Sequence, residues 1–87
     1  MQKFIRWDLS KSEKLKIERG VSFEEIIQAN LVGVLAHPRR TNQKLLLFNF
    51  RDYIWVVPCV EKDEELFLKT LFPSRAYTKK WKQGKTD

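Results

Sequence analysis

The residues of this chain best equipped for chemistry are gathered near its end. Leu66 to Trp81 reads LFLKTLFPSRAYTKKW, an alternating apolar run that breaks at Pro73 and leads into a segment carrying Arg75, Tyr77, Lys79, Lys80 and Trp81. Residues 66–87 hold six Lys or Arg against one acid, Asp87, so this tail supplies +5 of the net charge of +6. Cations neutralise phosphates and aromatic faces stack on bases, so the interleaving suits a nucleic-acid partner. The same composition also serves a plain solvated helix face.

The absences narrow the chemistry. There is no Gly-rich phosphate loop, no CxxC pair and a single histidine, His37, so neither a metal cage nor a Ser-His-Asp triad is expected, and no cofactor. His37 stands beside Pro38, Arg39 and Arg40, where it is either a structural strand-end residue or a phosphate contact. The acids of Glu61 to Glu65 read as a solvated turn. Lys, Arg and Tyr remain, and such a set can run the attack of an RNA 2′-hydroxyl on its neighbouring phosphate. That reaction needs in-line placement and stabilisation of charge on the phosphorane, without a metal. Arg75 is the candidate for gripping the phosphate, because a planar guanidinium matches its oxygens. Lys69, Tyr77 and Lys79 complete the catalytic candidates as base, acid and charge stabiliser. Lys16, Arg19, His37, Arg39, Arg51 and Lys80 are the candidate RNA contacts.

An 87-residue chain is expected to be one domain, burying about 60–65% of the surface its unfolded form exposes. The lone cysteine, Cys59, lies in an apolar run and reads as a small core residue of a cytoplasmic protein. No signal peptide or run of apolar residues long enough to span a membrane is present, so no membrane partner is expected. A pI near 9.7 favours an acidic partner, nucleic acid first and an acidic protein surface next.

These residues must be positioned by an α+β framework. Lys3 to Trp7 reads as a short strand, Phe4 and Arg6 facing one way, Ile5 and Trp7 the other. A surface helix follows, capped by Asp8 or by Ser10 with Glu13, and ends at Gly20. Ser22 and Glu25 form a second capping box, stapled by Val21 and Ile26, and Phe23, Ile26, Ile27 and Asn30 recur at helical spacing. From Gly33 the period changes to two. Gly33–His37, Lys44–Phe50, Tyr53–Val60 and Leu66–Phe72 are the expected strands of an antiparallel four-stranded meander, the third interrupted at Pro58. Both helices would cover one face. In the last strand Lys69 shares a face with Phe67 and Leu71, opposite Leu66, Leu68 and Thr70. A terminal helix follows Pro73, with Tyr77 and Trp81 one turn apart for docking or stacking, and residues 84–87 are expected to fray.

Trp7-Asp8, Lys11, Leu15 and the block Gly20-Val21-Ser22-Phe23-Glu24-Glu25 resemble the start of the BrnT toxins of type II toxin–antitoxin systems. The tail FLKTLFPSRAYTKKW is similar to their C-terminal pattern, with Pro73-Ser74-Arg75 standing where that family has Ser-Ala-Arg. The chain departs from the pattern at Arg19, where a histidine is usual, and at Lys69-Thr70, where the last strand usually holds an arginine. The resemblance implies a RelE-like fold of strand, two helices, four strands and terminal helix. It further implies a metal-independent endoribonuclease that blocks translation, and a cognate antitoxin whose complex binds operator DNA. The alternatives are a basic RNA- or DNA-binding module without catalysis and an inactive toxin fold that binds partners.

Overall fold

A computed structural model describes residues 4–85. In chain order the elements are β1 (Phe4–Arg6), α1 (Leu9–Arg19), α2 (Phe23–Ile26), β2 (Asn30–Ala36), β3 (Gln43–Phe50), β4 (Tyr53–Lys62), β5 (Glu65–Leu68), β6 (Phe72–Pro73) and α3 (Arg75–Lys85). The six strands form one sheet in the order β1-β5-β4-β3-β2, with β6 also paired to β4. No described helix is long and apolar enough to cross a membrane.

Alternation along the strands divides the sheet into two faces. Leu46 and Phe48 of β3, Val57 and Cys59 of β4 and Leu68 of β5 point to the face covered by Leu15 of α1 and Val21, Phe23 and Ile26 of α2, forming the main core. Ile54 and Val56 point to the opposite face and are equally buried. Leu47 and Ile54 on that side lie beside Tyr77 and Trp81, so α3 packs there and the helices flank the sheet from both sides.

The first two helices are defined by their caps. Asp8, rather than Ser10, caps α1, its Oδ1 accepting from the N–H groups of Ser10 at 2.8 Å and Lys11 at 3.3 Å. Gly20 ends the helix at φ 79°, a left-handed conformation that only glycine adopts without steric cost. Ser22 and Glu25 form the expected capping box, and Val21 and Ile26 around it are buried. Helix α2 is shorter than the spacing predicts. It stops at Ile26, and Asn30 becomes the first residue of β2, because pairing with Asn49 satisfies its backbone better than another turn of an isolated helix.

Four further differences follow from pairing between distant segments. Residues Phe4–Arg6 add to the sheet as a parallel edge beside β5, outside the expected meander. β4 runs unbroken through Pro58, whose carbonyl accepts from the Lys69 N–H at 2.9 Å. A residue's N and carbonyl face the same side of a strand, so the missing donor points to the edge where β4 changes partner from β5 to β6. The run Leu66–Phe72 is accordingly two short strands joined by 69–71, and Leu71 turns into the core instead of sharing the exposed side of Lys69. The acidic turn shrinks to Asp63 and Glu64, because β4 extends to Lys62 and β5 begins at Glu65. Glu61 pairs with Lys44 at 3.1 Å and Glu65 with Arg6 at 3.1 Å. Of residues 84–87, expected to fray, Gly84 and Lys85 instead belong to α3, and residues 86 and 87 lie outside the described residues.

Buried Ser12 joins the two N-terminal helices. Its hydroxyl donates to the Glu24 carboxylate and accepts from the Phe23 N–H at 3.0 Å, while Trp7 Nε1–H donates to the same carboxylate at 2.9 Å. Beside it the Lys16 ammonium reaches both oxygens of Glu25, at 2.9 and 3.0 Å. Ser12→Ala leaves the Phe23 N–H without its acceptor in a dry site and is expected to cost about 1–3 kcal/mol, or at least about 4 °C in thermal melts. An unchanged melting temperature would show that Ser12 is dispensable.

The Lys16 ammonium, and next the Ser22 backbone N–H, hold the Glu25 carboxyl down at about 2, against its ordinary 4.5. A depressed carboxylate stabilises the fold fully above its unfolded value and loses that contribution as it is protonated in the native state. Stability is therefore expected to fall from about pH 4.5 toward about pH 2, and Glu25→Gln should make that fall shallower. Parallel wild-type and variant melting curves over this window would refute the assignment.

Candidate nucleic-acid interface

The junction of β6 and α3 is built on the backbone of Ile54. Ser74 N–H donates to the Ile54 carbonyl at 2.9 Å, and the Ile54 N–H donates to Thr78 Oγ1 at 2.8 Å. Thr78 in turn donates its hydroxyl proton to the Ser74 carbonyl at 2.6 Å. Ser74 also caps α3, its Oγ accepting from the Tyr77 N–H at 3.2 Å. These bonds fix the first turn of α3 against β4 and bring Arg75, the first helical residue, into solvent at the edge of the sheet. The Arg75 side chain makes no hydrogen bond or ion pair with another described residue.

The rest of α3 follows from helical spacing. Lys79 is exposed one turn beyond Arg75, on the same side of the helix. Tyr77 and Trp81 are half-buried toward the sheet and border a hollow of about 230 Å³ with Val32, Leu47 and Ile54. Docking therefore accounts for both aromatics. The Lys80 ammonium lies 6.0 Å from the Tyr77 ring centroid, at the outer limit of a cation–π contact.

Lys69 is exposed on the α3 side of the sheet, its ammonium 6.0 Å from the Phe67 ring centroid. It is bonded at Pro58, whereas Ser74 is bonded at Ile54, four residues away along β4. The separation is about 13 Å at the usual rise of a strand. Arg19, at the end of α1, donates from Nη1 to the Leu71 carbonyl at 2.9 Å. It thereby holds the 69–71 link between Lys69 and β6.

The remaining candidates are elsewhere. Arg51 occupies the β3–β4 turn, where Arg51 and Asp52 have φ of 56° and 61°, and its guanidinium sits 4.8 Å over the Phe50 ring. This turn is tied to α3 by Lys82, whose ammonium is 3.4 Å from Asp52 Oδ2. Lys16 is engaged with Glu25 on the other side of the molecule. His37 and Arg39 lie in the β2–β3 turn, at the opposite end of the sheet from Ser74, and His37 Nδ1 accepts the Arg39 N–H at 3.1 Å. The structure thus groups Arg75, Tyr77, Lys79 and Lys80 on one helix, with Lys69 on the same side of the sheet, and leaves Lys16, His37 and Arg39 apart. Sequence reasoning missed Thr78; its only signal was the spacing of four from Ser74. Among the described residues no cluster of three or more His, Cys, Asp or Glu side chains could hold a metal ion. Burial raises the thiol pKa of Cys59 and keeps it a core residue.

No protein-family model matches the chain, and no curated protein matches it. A similar solved structure is the ribonuclease toxin BrnT of Brucella abortus. It superposes with a TM-score of 0.54 over 85% of this chain and 97% of that one, at 17% identity. The chain has a BrnT-like fold.

Proposed function

We propose that this protein is the toxin of a type II toxin–antitoxin pair, a metal-independent endoribonuclease that arrests translation by cleaving RNA. The observation that carries the reading is Arg75: a solvent-facing guanidinium with no partner among the described residues, mounted on a helix start that is bonded to the central strand. The BrnT-like fold supports the same class of activity. Arg75 grips the scissile phosphate, and Lys79 one turn along stabilises the charge that builds on the phosphorane. The 2′-hydroxyl passes its proton to Lys69, the candidate base, as its oxygen attacks the phosphorus; the bond to the 5′-oxygen breaks, that oxygen takes up a proton, and a 2′,3′-cyclic phosphate remains with a free 5′-hydroxyl. Tyr77 is docked toward the sheet, on the side of α3 away from Arg75 and Lys79, so Lys79 is the candidate donor to the leaving oxygen.

The Lys69 backbone is anchored about 13 Å along β4 from that of Ser74, a span that the lysine and arginine side chains can bridge, and its position over Phe67 also suits a neighbouring nucleotide. Arg51, beside the α3 end of the sheet, extends the phosphate track, and Arg19 supports it from beneath through Leu71. A cognate antitoxin is the expected protein partner, with operator DNA bound only through that complex. A second reading, a basic module that binds RNA without cutting, is favoured by the placement of His37, the lone imidazole, at the far end of the sheet from Arg75.

Induced expression of the wild type and Arg75→Ala, with growth and total RNA followed, separates the two. Loss of Arg75 is expected to reduce cleavage by about 10²–10³-fold with the melting temperature unchanged. Intact RNA in arrested or growing wild-type cells, with salt-dependent gel shifts of labelled RNA, would select the binding module.

Thr78→Val should act by a different route. It strands the buried Ile54 N–H, lowering stability by about 1–3 kcal/mol and weakening cleavage through a displaced Arg75, and Thr78→Ser should restore both. Full activity of Thr78→Val would mean that the helix start does not need this bond.

A further inference from the structure

The sheet is closed very differently at its two edges. β1 is three residues long and carries Arg6, the kind of short charged strand that discourages unwanted pairing. β2, at the other edge, is seven residues reading NLVGVLA, without a charge or a proline, and its irregularity is a bulge between Leu31 and Gly33. Among the described residues nothing pairs with its outer side. Leu31 is 49% exposed and Val34 51%. Both border an apolar hollow of about 300 Å³ on the α1–α2 face, with Ile27, Ala29, Leu46 and Phe48.

The backbone register shows which groups are free. His37 N–H donates to the Gln43 carbonyl at 3.0 Å, so His37 and Leu35 turn their backbone groups inward to β3. Val34 and Ala36 therefore turn theirs outward.

Charge at the two ends of β2 decides what can pair there. Arg39 and Arg40 are exposed beyond Ala36, and Arg51 is exposed beside the Asn30 end, each without an ion pair among the described residues. The acids nearest that end are occupied: Glu24 by Ser12 and Trp7, Glu25 by Lys16, and Asp52 by Lys82. A second copy of this chain, added in either direction, would set arginine against arginine, which opposes pairing. An extended segment with apolar residues at alternate positions and Asp or Glu at both ends matches the open backbone, the hollow and the guanidinium groups together.

We infer that the outer edge of β2 takes up such an acid-flanked strand from another polypeptide, which extends the sheet by one strand. The inference is independent of the ribonuclease reading, because the hollow lies on the face opposite α3.

Selection of a phage-displayed library of random peptides, roughly twelve residues long to cover one strand and its flanks, against the full chain tests this. Selected peptides should alternate apolar residues between acidic ends and bind less tightly as salt is raised. Val34→Pro deletes an outward N–H and spares the bonds to β3; it should weaken binding at least about tenfold. Ala36→Pro removes the next outward N–H and carries the same expectation where Val34→Pro lowers the melting temperature. Peptides without acidic ends, or equal binding to the wild type and both proline variants, would overturn the proposal. A wild-type dimer in sedimentation equilibrium that Val34→Pro dissociates would also overturn it, in favour of a second copy.

Discussion

The outer edge of β4 is shared by two partners, and the hand-over between them organises the C-terminal half of the molecule. β5 pairs with the far part of β4 from Cys59 onward, and β6 pairs with it at Trp55 and Val56. Pro58 sits between, lacking the N–H that a continuous ladder would need on that side. The chain leaves the ladder at Lys69, buries Leu71, accepts the Arg19 guanidinium on the Leu71 carbonyl and rejoins at Phe72. That detour carries the chain from the core face to the side on which α3 packs. Without it, Ser74 would not meet Ile54, and Arg75 would not stand at a fixed helix start.

Charge is distributed by the same economy of pairing. Two acids of the N-terminal half are spent on ties between its helices: Glu24 holds Ser12 and Trp7, and Glu25 holds Lys16. Those of the hairpin region pair with Lys44 and Arg6, and Asp52 with Lys82. The cations left over are concentrated on α3 and in the turns at each end of β3. The basic surface thus combines the local excess of lysine and arginine after Leu66 with the commitment of nearby carboxylates elsewhere, so its guanidinium groups can meet an external anion without first breaking a bond.

Much of this framework was legible locally. The Ser22–Glu25 box, the Val21–Ile26 staple and the glycine stop at Gly20 each depend on neighbours in sequence, and each stands in the structure, whereas the change from helix to strand comes at Asn30, three residues before Gly33. The candidate Arg75 was legible too, because Pro73-Ser74 forces a break and a cap. Its support was not. Thr78 and Arg19 read as ordinary polar residues of helices, and their partners, the Ile54 N–H and the Leu71 carbonyl, are 24 and 52 residues away.

The sequence by itself determined the elements that rest on caps, turns and periodicity, the excess of cations in the tail, and the poverty of metal-ligating and nucleophilic residues. Only the tertiary structure decided that Phe4–Arg6 joins β5 in parallel, that Leu66–Phe72 divides in two, and that Lys16, His37 and Arg39 lie away from Arg75. The physical reason is that local signals fix dihedral angles and faces, whereas pairing between strands and bonds to buried carbonyls are settled by competition among segments far apart in the chain. In that competition a backbone group left unpaired in the interior outweighs a residue's own preference.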